Sequence, residues 1–137
     1  MKKYSFIEHT ADIAIRAYGK NLDQCFENAA FAMFDIISDT KKVKTTGEYK
    51  IELKAESLEQ LLVDWLSKLL YLHDSNNFLF GKFRVVLDKE RKNLRAQVWG
   101  EKFDRNRHFV GKEIKAVTYH MLEVNEKDCY VQVLFDI

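Results

Sequence analysis

Residues 48–74 read EYKIELKAESLEQLLVDWLSKLLYLHD, and within them the apolar spacing changes from every second residue to every third or fourth. Tyr49, Ile51, Leu53 and Ala55 alternate with Glu48, Lys50, Glu52, Lys54 and Glu56. That is a strand with one buried and one wet face. Leu58, Leu61, Leu62, Trp65, Leu66, Leu69 and Leu70 then trace one wide apolar stripe, the mark of an amphipathic helix. Ser57 stands at its N-cap and Gln60 completes a capping box, while Asp74-Ser75-Asn76-Asn77 breaks the helix. A half-buried strand that feeds an amphipathic helix points to a sheet with helices laid on it.

The same succession occurs upstream. Residues 4–8 read as a short strand and residues 12–19 as a second, with Ile13, Ile15 and Ala17 on one face and Ala14, Arg16 and Tyr18 on the other. Asn21 and Gln24 form a capping box for a helix that carries Leu22, Phe26, Ala29, Ala30, Met33 and Ile37 on its apolar side. Ser38-Asp39-Thr40 ends it.

Downstream the chain is mostly strand. Residues 83–87 and 94–99 flank a turn at 88–93, and residues 113–124 and 129–136 flank a turn at 125–128. Both read as hairpins. Residues 102–112 form a charged loop. The order is two strands, helix, strand, helix, four strands. The expectation is an α+β fold: a single domain over residues 1–137, mostly antiparallel, with two amphipathic helices packed on one sheet face.

Composition bounds the function. The 137 residues are long enough to bury roughly two-thirds of the unfolded surface. The formal net charge of +1 argues against a general nucleic-acid binder and leaves room for a local basic patch. Cys25 and Cys129 are too few for a disulfide framework. A reducing, cytoplasmic setting is expected. Met1-Lys2-Lys3 runs straight into a strand pattern, so no leader is expected, and no apolar run would span a bilayer.

The candidate chemistry lies at the two chain ends. The stretch IEHTADI, residues 7–13, places His9, Thr10 and Asp12 on a connection between two strands. Phe135-Asp136-Ile137 closes the chain with a carboxylate side chain beside a terminal carboxylate. Asp12 and Asp136 each fall on the face opposite their strand's apolar residues. If the two strands are antiparallel neighbours, both carboxylates lie on the same side, an oxygen-rich site of the kind that hard cations such as Ca²⁺ or Mg²⁺ prefer. The plainer reading makes Asp12 a turn cap and Asp136 a solvated strand end.

The remaining candidates weigh similarly. His9 reads first as a hydrogen-bonding turn residue. Lys115 shares a strand face with Glu113 and Val117, either as an exposed lysine or as a cation placed for a phosphate or a partner carboxylate. Arg105, Arg107, His108 and Lys112 could add a small basic patch or simply be solvated. His73, His108 and His120 show no zinc-binding spacing. Cys25 and Cys129 read as small core residues. There is no phosphate-binding glycine loop and no nucleophile elbow. An accessory or binding protein is favoured over an enzyme.

IEHTADI followed by IRAYG, then FENAAFAMFDIISDT, LLVDWLSKLLYLHD, GEKFDRNRHFVGKEIKAVTYHMLEV and the closing FDI together resemble the archease family, over essentially the whole chain. Family members often carry proline in the loop from Phe103 to Gly111, where this chain has none. The resemblance implies a non-enzymatic accessory factor for an RtcB-type RNA ligase in tRNA splicing or RNA repair. Such a factor promotes guanylylation of the ligase, restores it between turnovers and broadens its nucleotide use. The resemblance also implies a divalent metal at Asp12, Asp136 and Ile137, with Ca²⁺ expected in crystals and Mg²⁺ or Mn²⁺ in the cell. It implies a required Lys115, to which His9 and Glu113 could lend support. The partner would be the ligase, with tRNA engaged only indirectly and no membrane. A chaperone for a tRNA cytosine methyltransferase, a metal-dependent phosphohydrolase and a direct tRNA-binding module are the other readings.

Overall fold

The computed structural model describes residues 2–7 and 12–137. Among them the elements run β1 (Tyr4–Ile7), β2 (Ile13–Tyr18), α1 (Leu22–Ile37), a 3₁₀ turn (Thr40–Lys42), β3 (Gly47–Lys54), α2 (Leu58–Asn76), β4 (Phe78–Asp88), β5 (Asn93–Lys102), β6 (Ala116–Asn125) and β7 (Tyr130–Asp136). The fold is α+β and every strand pairing is antiparallel. The strands divide between two sheets, ordered β1-β2-β7-β6 and β3-β5-β4. Periodicity finds strands, but it does not say which strand pairs with which.

α1 packs against β2 and β7 of the first sheet and against β4 of the second, while α2 packs against β6 and the second sheet. The apolar stripes of both helices therefore close one core, which takes in Ile15, Phe26, Met33, Leu62, Trp65, Leu69, Val98, Val133 and Phe135. Trp65 is fully buried, and its indole N–H donates to the α1 carbonyl of Phe26 at 3.0 Å. That bond satisfies the polar atom that a buried tryptophan otherwise leaves exposed to an apolar core.

Both N-caps form as the sequence predicts. Asn21 accepts from the Gln24 amide at 2.9 Å and Ser57 from the Gln60 amide at 3.1 Å. The return bonds are shifted by one residue. Gln24 accepts from the Lys20 amide and Gln60 from the Glu56 amide, each one position ahead of the cap. α2 runs on to Asn76, and Asn77 closes it in the left-handed conformation, φ 54°. Asparagine tolerates that conformation better than most residues.

Two strand starts differ from the sequence expectation. β4 begins at Phe78 and not at residue 83. Phe78, Leu79 and Phe80 are all buried, and the pairing with β5 shifts register between Phe80 and Lys82. The irregularity at Gly81 hides this stretch from a period-two reading. The irregularity also leaves no room opposite it: a Cβ on Gly100 would lie 1.8 Å from the Leu79 carbonyl oxygen. β6 begins at Ala116 and not at residue 113, because the preceding backbone is engaged elsewhere. Gly111 donates to the Ile37 carbonyl and Lys112 to the Ile36 carbonyl, both at 2.9 Å. Those carbonyls are otherwise orphaned at the end of α1.

Candidate metal and partner site

β2 pairs antiparallel with β7 from Tyr18–Tyr130 to Ile13–Phe135. Continued by one residue, that register sets Asp12 opposite Asp136. Opposed residues of an antiparallel pair share a face. Ile13 and Phe135 belong to the core side, so strand parity assigns both carboxylates to the other side. Asp136 is exposed and Asp12 half-buried. Two carboxylates so placed repel one another unless a cation balances them.

β6 completes the row. Ala116 pairs with Asp136, and the Lys115 N–H donates to the Asp136 carbonyl at 2.7 Å. Lys115 thus reaches the same sheet end, ahead of β6 and not within it. Glu113 and Lys115 are exposed and Ile114 between them is buried in the core. Ile137, the last residue, packs partly against the same core beside Lys115 in register. His9 lies outside the described residues. Among the described residues no three His, Cys, Asp or Glu side chains gather as a metal group.

The neighbouring strand is irregular. Thr118 pairs with Leu134 and Glu123 with Gln132, so four residues of β6, from Tyr119 to Leu122, bulge out opposite Val133. Met121 takes φ 59° there. The bulge is pinned by the Gln132 side chain, whose Nε2 donates to the Met121 carbonyl at 2.9 Å and whose Oε1 accepts from Arg16 at 2.8 Å. Thr118 donates to the Leu134 carbonyl at 3.0 Å. Bulges are found beside functional sites, where they re-aim side chains.

Of the two readings of Arg105, Arg107, His108 and Lys112, a basic patch is not what forms. His108 is buried. Its Nδ1 accepts from the Asp104 amide at 2.8 Å and its Nε2 contacts Glu101 at 2.9 Å. With Nδ1 serving as acceptor, the proton sits on Nε2 and is donated to the carboxylate. Arg107 pairs with the other Glu101 oxygen, and the Lys44 amide donates to Glu101 at 2.6 Å. Burial pushes the Glu101 carboxyl up, but these donors outweigh it and bring it down to about 2. Nothing in the chain signals this staple, since Glu101 and Lys44 are 57 residues apart. Arg105 and Lys112 remain exposed.

Cys25 is a core residue and Cys129 is partly buried. Burial, and the nearby Cys129 thiol, push the Cys25 thiol up to about 11, so it is a poor nucleophile. No helix among the described residues is long and apolar enough to cross a membrane.

The model of the archease protein family matches residues 4–137. The chain is 44% identical to the protein archease of Sulfurisphaera tokodaii, over 98% of this chain and 97% of that one. It is 47% identical to the protein archease of Methanosarcina barkeri, over 91% and 88% of the two chains. The solution structure of Methanobacterium thermoautotrophicum protein 1598 superposes with a TM-score of 0.86 at 37% identity, covering all of both chains. The chain belongs to the archease family.

Proposed function

We propose that this protein is an accessory factor that activates an RtcB-type RNA ligase. It promotes guanylylation of the ligase and its return to activity between turnovers, and itself turns over no substrate. Family membership supports this reading. The observation that carries it is the β2–β7 register, which ends at Ile13–Phe135 and, continued by one residue, sets Asp12 opposite Asp136, with Lys115 bonded to the Asp136 backbone.

The donors suit a hard divalent cation, because they are all oxygen and carry negative charge. Asp12, Asp136 and Ile137 would hold Ca²⁺, Mg²⁺ or Mn²⁺, which would supply positive charge for nucleotide phosphates. Lys115, exposed beside them, adds a second cation for a phosphate or a carboxylate of the ligase. Its main-chain tie to Asp136 anchors the base of that flexible side chain at the same sheet end. Glu113, exposed two residues earlier, and His9 are supporting candidates.

The test is single-turnover guanylylation of the cognate ligase with labelled GTP. Acceleration by this protein that disappears in Asp12→Ala and Lys115→Ala supports the reading. No acceleration, with both proteins folded and metal present, overturns it.

A further inference from the structure

The sheet β3-β5-β4 gives only one of its faces to the helices, where Ile51, Leu53, Val85, Leu94 and Val98 join the core. On the opposite face the register sets Trp99 between Glu48 and Lys82, and Gln97 between Lys50 and Arg84. It then sets Arg95 between Glu52 and Val86, and Asn93 between Lys54 and Asp88. Five cations thus share this face with three carboxylates, whereas the whole chain is nearly balanced, with 22 Lys and Arg against 21 Asp and Glu.

Their placement matters more than their number. Glu48 and Asp88 stand at two opposite corners of the face, and Asp88 is already engaged by the Arg91 amide at 3.1 Å and the Arg91 guanidinium at 3.9 Å. Between the other two corners Lys82, Arg84, Arg95 and Lys54 form a diagonal with no carboxylate in it, flanked by Glu52. The diagonal is about 20 Å long on a face about 10 Å across. All four of its cations are exposed, and among the described residues no ion pair engages them. Guarding a strand edge accounts for the Glu–Lys alternation of β3. It does not account for the rest. The β4 edge is already covered by α1, whose Glu27 and Asp23 accept from the Val85 and Leu87 amides at 2.8 and 3.1 Å, and Arg95 and Trp99 stand on the central strand.

Trp99 is half-buried, with the Lys82 ammonium 4.8 Å over its ring. That ring face is open to a cation, so a base can stack there while the ammonium turns to the adjoining phosphate. Gln97, half-buried at the middle of the face, makes no side-chain hydrogen bond among the described residues, and its amide can meet a ribose 2′-hydroxyl.

We propose that this outer sheet face binds single-stranded RNA, with phosphates along Lys82, Arg84, Arg95 and Lys54 and a base stacked on Trp99. That the strand is RNA rests on the ligase-activator reading; the basic diagonal does not. A duplex keeps its bases in its own stack and offers none to Trp99. A bilayer would find only Val86 and Trp99 as apolar anchors on this face. An acidic peptide would match the charge but bring no base to the ring.

The test is fluorescence anisotropy of a labelled twelve-nucleotide single-stranded RNA titrated with the whole protein at several salt concentrations. Binding is expected to weaken as salt rises. Lys82→Gln with Arg95→Gln should weaken it about ten-fold or more and flatten the slope of log K against log salt by about 1.4. Trp99→Leu should weaken it about five-fold or more and abolish the tryptophan quench that RNA produces, and Trp99→Tyr should restore affinity. Glu52→Gln should tighten binding, a gain that misfolding cannot imitate. A wild type that does not bind this RNA at low salt, or folded diagonal and Trp99 variants that bind as well as wild type, overturn the proposal. So does DNA of the same sequence bound as tightly, or poly-glutamate that competes as well as RNA, because each assigns the face to another polyanion. Guanylylation of the ligase, run without RNA, is the separate readout for the activator reading: the Gln variants keep it, and its absence in the wild type overturns that reading alone.

Discussion

Lys115 donates its backbone N–H to the carbonyl of Asp136 at 2.7 Å, so the lysine and the penultimate aspartate are held as one unit at the sheet end. The lysine's position follows from β7, not from the loop that precedes it. The bond holds the lysine's main chain beside the acidic strand, and its flexible four-carbon stem carries the charge from there.

Charge at that sheet end is expected to show in metal affinity. Asp136→Asn keeps size and backbone but removes one anionic oxygen donor. Calorimetric titration with Ca²⁺ or Mn²⁺ should show binding about ten-fold weaker or worse, since hard cations depend on ligand charge count. Asp136 is exposed, so the melting temperature in chelator should stay near wild type. In the wild type, cation at about a hundred times its dissociation constant should stabilise folding by about 2.7 kcal/mol. Equal affinity in both proteins would remove Asp136 from the metal site.

The segment from Gly111 to Lys115 is the mechanical link between α1 and this site. A Cβ added at Gly111 would lie 2.2 Å from the Ile36 carbonyl oxygen, too close for any real contact. Gly111→Ala should therefore detach the segment and free the Ile36 and Ile37 carbonyls. Hydrogen exchange at the Gly111-position and Lys112 amides should accelerate by at least ten-fold. Ligase stimulation should fall with it while the core amides of α2 stay protected. Unchanged exchange at Lys112 would show that the segment is held by something other than its bonds to α1.

Much of this was legible in the chain, and the reasons are local. Capping residues, the two apolar stripes and strand alternation are short-range signals, and they located Asn21, Ser57 and both helices. The shared face of Asp12 and Asp136 needed one long-range assumption, that the first and last long strands are neighbours, and β2–β7 pairing satisfies it. What the sequence hid are departures from period two. Buried Ile114 falls three residues before Val117, and the β6 bulge inserts residues without a hydrophobic cue. The Glu101–His108–Arg107 staple was invisible for another reason: a run of charges on a loop looks solvated until its partner on a neighbouring strand is known.

That staple makes a stability prediction with a definite sign. The Glu101 carboxyl sits at about 2 in the folded protein against an ordinary value of 4.5. The folded state binds its proton less readily than the unfolded chain does. Its contribution is therefore full above about pH 4.5 and is lost as the pH falls toward 2. Glu101→Gln keeps an acceptor for His108 but not the charge for Arg107. Urea melts at pH 7 should show it less stable by about 1.5–3 kcal/mol, the range for hydrogen bonds to charged groups. Only below about pH 2 should the two proteins converge. A difference that stays constant across that range would mean the side chain acts by packing alone.

The core makes the last prediction, and it separates packing from polar satisfaction. Trp65 is fully buried between the helices, and its indole bonds to the Phe26 carbonyl. That carbonyl belongs to α1, where the i→i+4 ladder already offers it a donor, so losing the indole N–H leaves no orphaned acceptor. Trp65→Phe should cost mainly the volume removed, whereas Trp65→Ala should cost about 3–5 kcal/mol from lost burial and the cavity left behind. If the polar bond dominated, Phe and Ala would be nearly equivalent, because both remove it. Denaturant melts of the two variants decide between these orderings. A Phe variant much closer to wild type than the Ala variant identifies Trp65 as a space-filling keystone between α1 and α2.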